Sequence, residues 1–270
     1  MLRRLAPFLA DLWQHRELLW QFTRRNFELT LKGSHLGLIW SFLNPLLMLA
    51  LYVFVFGLLF GGRFGAIPNE TRVDFALGIF LGLTIFGLIA ETLTMSPTVI
   101  SANPNFVKKV VFPLEVLPAA AAGASIGRML IGLIFVIAGI VTLGPGLNLG
   151  LLWLPVILFP VVLACLGTAW LVSSLGVFIQ DINQFMAFFT QAVMYASALF
   201  YSERIIPPAA WTVMRFNPVL LAIELARDVA LWHQPLNLVR LGYLYAFGLA
   251  ACYLGYYAFG RMKPAFADVL

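Results

Sequence analysis

Residues 201–235, YSERIIPPAAWTVMRFNPVLLAIELARDVALWHQP, lie between two strongly apolar runs and break the pattern on either side of them. Pro207-Pro208 and Asn217-Pro218 split the stretch into two short amphipathic pieces, because proline ends a helix before it or opens one after it. The stretch is too polar to cross a bilayer and too apolar for an ordinary loop. Working outward from it, six apolar runs emerge, at Leu38 to Phe60, Phe75 to Met95, Ala119 to Leu143, Leu151 to Ile179, Gln184 to Phe200 and Leu238 to Phe259. A crossing helix needs about 20 predominantly apolar residues, so the fifth run is marginal and the others suffice.

Composition agrees. Hydrophobic residues make up 61% of the 270 and charged residues 11%, with a mean hydropathy of +0.92. Soluble chains carry roughly 25% charged residues. The expectation is an all-α integral membrane protein of six transmembrane helices forming one domain over 1–270, with little length left for a separate catalytic domain. Within it, 1–34 reads as an amphipathic interface helix and lead-in, 96–118 as a cytoplasmic connection, and 201–237 as an outer-face re-entrant pair of helices. Asp11, His15, Arg16 and Glu17 interrupt any signal-peptide core after Met1-Leu2-Arg3-Arg4, so a cleaved leader is not expected. Cys165 and Cys252 sit inside apolar runs without metal or redox spacing.

Lysine and arginine near the ends of the runs set the orientation. Ten lie on the side of the N-terminus (Arg3, Arg4, Arg16, Arg24, Arg25, Lys32, Lys108, Lys109, Arg261, Lys263) and six on the other (Arg63, Arg72, Arg204, Arg215, Arg227, Arg240). Positive residues are retained on the cytoplasmic side, which places both termini there. Before the first run, Leu2, Leu5, Leu9, Leu12, Trp13, Leu19 and Trp20 recur at helical spacing opposite Arg3, Arg4, Asp11, Gln14 and Glu17. That pattern suits a helix lying in the membrane interface, or one packed on a soluble partner.

Inside the runs only Glu91 and Arg128 are clearly ionisable. Glu91 lies about ten residues before Ile100 and Arg128 about ten after Pro118, so the two share a depth and are expected to pair across the second and third runs, as a structural ion pair or as part of a substrate path. The connection contains a short amphipathic helix from about Asn105 to Val111, opened by Pro104 and closed by Pro113. Lys108 and Lys109 face the cytoplasm in that reading, while Phe106, Val107, Val110 and Val111 face protein. It reads as a knob for a soluble partner, or as a loop held by lipid head groups. No phosphate loop, metal-binding spacing or nucleophile elbow occurs, so no enzyme active site and no metal site are expected, and His15, His35 and His233 are far apart.

Four stretches then resemble one family. They are Lys32 to Trp40 with Asn44-Pro45; Asn103 to Pro118; Gln180 to Gln184; and Phe216 to Arg227. In order and spacing they resemble the permease subunits of ABC-2 type polysaccharide exporters, which serve O-antigen, capsule and teichoic acid export, with the O-antigen branch nearest. The resemblance covers essentially the whole chain. It implies a homodimer of six-span subunits in the cytoplasmic (inner) membrane, docked on two copies of a separate cytoplasmic ATPase that holds the ATP and Mg. No cofactor on this chain and no nucleic acid partner are implied.

The implied substrate is a polysaccharide joined by pyrophosphate to a polyprenyl lipid. By the same resemblance Asn103 to Phe112 becomes the coupling helix, with Asn103, Asn105, Phe106, Val107, Lys108, Lys109 and Phe112 in contact with the ATPase. Trp40, Tyr52, Phe56, Phe185, Phe188, Gln191 and Tyr195 line a channel whose aromatic faces suit sugar rings. Asn217, Pro218, Glu224 and Arg227 shape an outer gate, where helix capping and an i,i+3 ion pair are the plainer account. Arg24, Arg25 and Lys32 meet the anionic lipid head group, although a simple positive anchor to membrane lipids predicts the same residues. The competing functions are an ABC-2 permease for a small molecule, drug or lipid, and a membrane anchor or sensor that transports nothing.

Overall fold

In a computed structural model the described residues are 7–31, 39–59, 61–108 and 112–270, and their regular structure is entirely helical. The chain opens with α1 (Pro7–Gln14) and α2 (Arg16–Leu31). Where the sequence reads as one amphipathic helix, the structure has a break at His15, whose Nδ1 lies 2.9 Å from the Asp11 carbonyl oxygen. Next come α3 (Ile39–Tyr52), continued by a π-helical stretch Val53–Leu59, and α4 (Arg72–Met95). A short α5 (Pro104–Lys108) precedes α6 (Val116–Thr142), α7 (Leu154–Phe178) and α8 (Ile182–Ala196). The remainder is α9 (Pro208–Met214), α10 (Pro218–Ala230), α11 (Leu238–Met262) and a final turn, α12 (Phe266–Val269).

Four continuous helical stretches are long and apolar enough to cross a membrane: Arg72–Thr98, Val116–Thr142, Leu149–Phe178 and Leu238–Val269. They match the second, third, fourth and sixth apolar runs. The fifth run departs from its expected length: α8 has 15 residues, about 22 Å at 1.5 Å per residue. It stops because Ala198 takes a left-handed φ of 50°, which no helix can continue through. In the first run α3 with its π-helical continuation covers Ile39 to Leu59, and Leu38 and Phe60 lie outside the described residues.

Two apolar cores hold the bundle. The larger joins α4, α6, α7 and α10 with the N-terminal end of α11; the smaller gathers Phe8, Ile100, Leu117, Trp170, Phe259 and Phe266 at the end carrying the 96–118 connection. That end is called the near end here, and the end carrying 201–237 the far end. The most intimate packing is α7 on α11: a β-carbon at Gly255 would lie 1.9 Å from the Gly167 carbonyl oxygen, and one at Gly167 2.1 Å from that of Ala251. Small residues let two backbones touch where the surrounding solvent gives side chains no hydrophobic reason to associate.

In the lead-in, α2 packs on its own chain. Thr23 fills the space over Gly123 and Phe27 that over Gly127, so α2 runs beside the first part of α6. Trp13 and Trp20, 72% and 68% exposed, point away from that contact. The glycines of α6 make room for the helix, a signal invisible in the amphipathic pattern of α1 and α2 themselves.

Candidate translocation and coupling sites

At the near end an aromatic cluster anchors the 96–118 connection. Asn103 Nδ2 donates to the Val99 carbonyl at 2.9 Å, and its own carbonyl accepts from the Phe106 N–H, closing the first turn of α5. Phe106 and Phe112 pack against each other and against Phe22 of α2, with ring centroids 4.7, 5.5 and 5.4 Å apart. Val107 is half-buried with them, while Asn105 and Lys108 are exposed. The amphipathic division expected of this segment is therefore present over Pro104–Lys108; Lys109, Val110 and Val111 lie outside the described residues.

A second tie was not foreseen. The Glu115 carboxylate accepts from Lys263 Nζ at 2.7 Å and its backbone carbonyl from Trp170 Nε1 at 3.0 Å. The root of the connection is thus held by α7 and by the C-terminal end of α11. Of the three cations nominated for a lipid head group, Arg24 is exposed and paired to Glu28 at 2.8 Å, and the Arg25 guanidinium lies 4.6 Å from the centre of the Phe22 ring. Lys32 lies outside the described residues.

Residues of α3, α4 and α6, with Met194 of α8, line an open cavity of about 480 Å³. Each wall is one helical stripe: Trp40, Asn44 and Met48 on α3, Thr84 and Glu91 on α4, Ser125 and Arg128 on α6. The pairing expected of Glu91 and Arg128 is present, with Nε donating to Oε2 at 2.6 Å. Of the channel-lining candidates Trp40 alone borders this cavity. The side chains of Tyr52 and Phe56 lie outside those described.

The remaining channel candidates share one exposed face. Along α8, Ile182 and Met186 are buried against Leu93 and Val172, whereas Phe185, Phe188 and Tyr195 are 57%, 71% and 58% exposed and Gln191 is also exposed. Within a single copy none of them borders the cavity between α3, α4 and α6. On α3 and its π-helical continuation, Leu47, Leu51, Phe54 and Leu58 are similarly uncovered, each half exposed or more.

The far end is capped by the interrupted segment. Asn217 caps α10, its Oδ1 accepting from the Val219 N–H at 3.0 Å, and its Nδ2 reaches back to the Ala196 carbonyl at 2.9 Å, so it joins the end of α8 to the start of α10. Pro218 fills the first helical position, where its missing donor costs nothing. Beyond it α10 is buried on nearly every side, from Val219 through Arg227, rather than amphipathic as its sequence suggested. Arg227 is fully buried, and Glu224 accepts from its Nη1 at 2.9 Å. The guanidinium also donates to the carbonyls of Gly78, Ala198 and Leu199, each at 2.8 to 2.9 Å, and lies 4.2 Å from the Phe64 ring.

Burial raises the Glu224 carboxyl above its ordinary range, and Arg227 opposes the rise. Asp228 is pushed up to about 6 by burial and by the nearby Glu203, against the pull of Arg240 and Arg204. Residues that sequence reasoning passed over complete the cap. Glu70 accepts from the Phe64 and Gly65 N–H groups at 2.8 and 2.6 Å, and Arg204 donates to the Gly65 carbonyl at 2.6 Å. Arg240 and Glu203 form a two-pronged pair at 3.0 and 3.1 Å.

Comparison with known proteins bears on this arrangement. The ABC-2 type transporter family matches residues 17–231. The O-antigen export system permease protein RfbA of Klebsiella pneumoniae is 28% identical over 94% of this chain and 95% of its own length. RfbA of Myxococcus xanthus is 25% identical over 80% of this chain and 81% of its own, and the polysialic acid transport protein KpsM of Escherichia coli 23% over 82% and 83%. With apolar helices of spanning length and a family match from α2 to the end of α10, this multi-pass membrane chain belongs to the ABC-2 type transporter family.

Proposed function

We propose that the chain is the membrane subunit of an exporter that moves a polyprenyl-pyrophosphate-linked polysaccharide, of the O-antigen kind, outward across the cytoplasmic membrane. The observation that carries this reading is the end-to-end likeness to permeases named for O-antigen export and to one named for polysialic acid transport. The subunit crosses six times with both termini in the cytoplasm, α3 and α8 supplying the two crossings beyond the four long helices. Two copies assemble, and the exposed faces of α3 and α8 meet across the pair to wall the path.

Energy comes from a separate ATPase, two copies of which hold ATP and Mg. Its docking surface is α5, with Asn105 and Lys108 outward and Phe106, Val107 and Phe112 as the packed base. Because Glu115 ties that base to α7 and α11, a push on α5 is delivered to the long helices rather than absorbed in a slack loop. At the far end the Arg227 cap acts as the outer gate. Arg24, Arg25 and Lys32 meet the lipid pyrophosphate.

The test is reconstitution of the chain with its ATPase in inverted vesicles containing the lipid-linked glycan. ATP-dependent movement of glycan into the vesicle lumen is the expected result. Movement of the unglycosylated polyprenyl lipid or of a drug, with none of the glycan, would assign the chain to small-molecule transport instead.

A further inference from the structure

The cavity between α3, α4 and α6 has a chemistry of its own. At about 480 Å³ it falls within the range of small-molecule sites, roughly 300–1,000 Å³. The Glu91 side chain is 37% exposed and that of Arg128 only 16%. Arg128, which also borders the cavity, sets its Nε on Glu91 Oε2 and its Nη2 on Ser125 Oγ at 3.2 Å and Met95 Sδ at 3.7 Å. The less covered of the two charges is therefore an acceptor group, fixed in place by the cation beside it.

That order selects the ligand. A phosphate approaching Glu91 meets a like charge at close range, which is unfavourable in a low-dielectric setting. Hydroxyl groups meet a charged acceptor, the stronger kind of hydrogen-bond partner. On the facing wall Trp40 and Asn44 sit four residues apart on α3, hence on one stripe. The indole offers a broad apolar face and the amide both donates and accepts.

We propose that this cavity is a saccharide subsite: Glu91 and Asn44 bond the hydroxyls of one sugar, and Trp40 covers its apolar CH face. Arg128 is a positioning residue that keeps the carboxylate aimed. The inference rests on the reading of the chain as a glycan exporter and adds where a sugar, as opposed to the lipid pyrophosphate, is held.

The test titrates two probes onto the full chain in complex with its ATPase in detergent. One is a set of short oligosaccharides freed by mild acid from the host's own lipid-linked glycan; the other is inorganic pyrophosphate. Glu91→Ala and Asn44→Ala are each expected to weaken oligosaccharide binding about tenfold while leaving pyrophosphate binding unchanged. Glu91→Gln, which keeps an acceptor oxygen, recovers part of the loss, and thermal melting of every variant reports its folding. Oligosaccharide affinity unchanged in folded Glu91→Ala and Asn44→Ala overturns the subsite, as does a loss confined to pyrophosphate. Vesicle export separates the two levels: wild-type protein that exports no glycan defeats the exporter reading and the subsite together. Export that proceeds unaltered in both variants defeats the subsite alone.

Discussion

Arg227 Nε donates to the carbonyl oxygen of Gly78 at 2.9 Å, a bond that joins α10 to the first turns of α4 across 149 residues of sequence. A helix interior leaves no carbonyl free for an outside donor unless the acceptor takes two bonds. Here a buried cation supplies the second, and the space a β-carbon at Gly78 would take is filled by the Phe64 ring, 2.8 Å away. The close approach is tight on the other side as well, since a β-carbon at Gly82 would fall 2.7 Å from Arg227 Nη2.

Removing that cation strips partners from several buried acceptors at once. Arg227→Met is expected to cost about 3–5 kcal/mol, the range for breaking a buried ion pair from one side. Arg227→Lys retains the charge but not the fork that serves several carbonyls, so it falls between Met and wild type. The melting temperature of the detergent-solubilised chain checks both.

Steric contact between α7 and α11 makes a sharper contrast. Gly255→Leu places atoms inside the Gly167 carbonyl and is expected to prevent α11 from docking, seen as rapid proteolysis and loss of a single melting transition. Gly242→Ala, on the same helix with nothing within 4 Å, serves as its control. Its stability is expected to stay within about 0.5 kcal/mol of wild type.

Asp228 gives a pH signature. Its carboxyl, raised from 3.8 to about 6 in the folded chain, favours the folded state when protonated. That stabilisation is full below about pH 4 and is lost as the pH rises through 6. Asp228→Asn, which mimics the protonated form, is therefore expected to stabilise the protein above pH 6, by on the order of 1–2 kcal/mol after allowance for solvent screening, and to do nothing at pH 4. Melting curves at pH 4 and pH 8 check the sign.

The near end separates anchoring from docking. Phe106→Ala opens a hole among Phe22, Phe112 and α5, and is expected to destabilise the chain by about 1–3 kcal/mol and to uncouple it from ATP hydrolysis. Lys108→Ala touches only an exposed side chain. It is expected to leave the melting temperature alone and to weaken co-purification of the ATPase.

On α8, Phe188→Ala and Tyr195→Ala remove exposed rings, so each is expected to change stability by no more than about 0.5 kcal/mol. Glycan export in vesicles falls in both if this face walls the path. Equal export by both variants would take α8 out of the route.

Much of this molecule was legible where a local signal coincided with its physical cause. Pro208 and Pro218 start α9 and α10 because proline fits the first helical position, and Glu91 and Arg128 meet because equal distance from one connection gives equal depth. What escaped prediction depends on contacts distant in sequence. Nothing near Phe64 or Gly65 foretells their partners, since Arg227 over the Phe64 ring comes 163 residues later and Arg204 on the Gly65 carbonyl 139 residues later. The docking of α2 on α6 is written in the glycines of the acceptor helix, not in the hydrophobic stripe of the helix that docks. The amphipathic look of α10 misled for a related reason: Glu224 and Arg227 are satisfied inside the protein, so their polarity marks a buried pair and not a wet face.

The shortness of α8 reaches beyond the protein itself. Counted as a crossing, its 15 residues cover about 22 Å of an apolar layer roughly 30 Å thick. One wall of the molecule is therefore too low for the bilayer around it, and the lipid must thin beside it or the helix must be flanked by protein. Mismatch of this kind costs fractions of a kcal/mol per ångström. Where α8 crosses, the acyl-chain length of the host membrane thereby becomes a variable that acts on this chain through thickness alone.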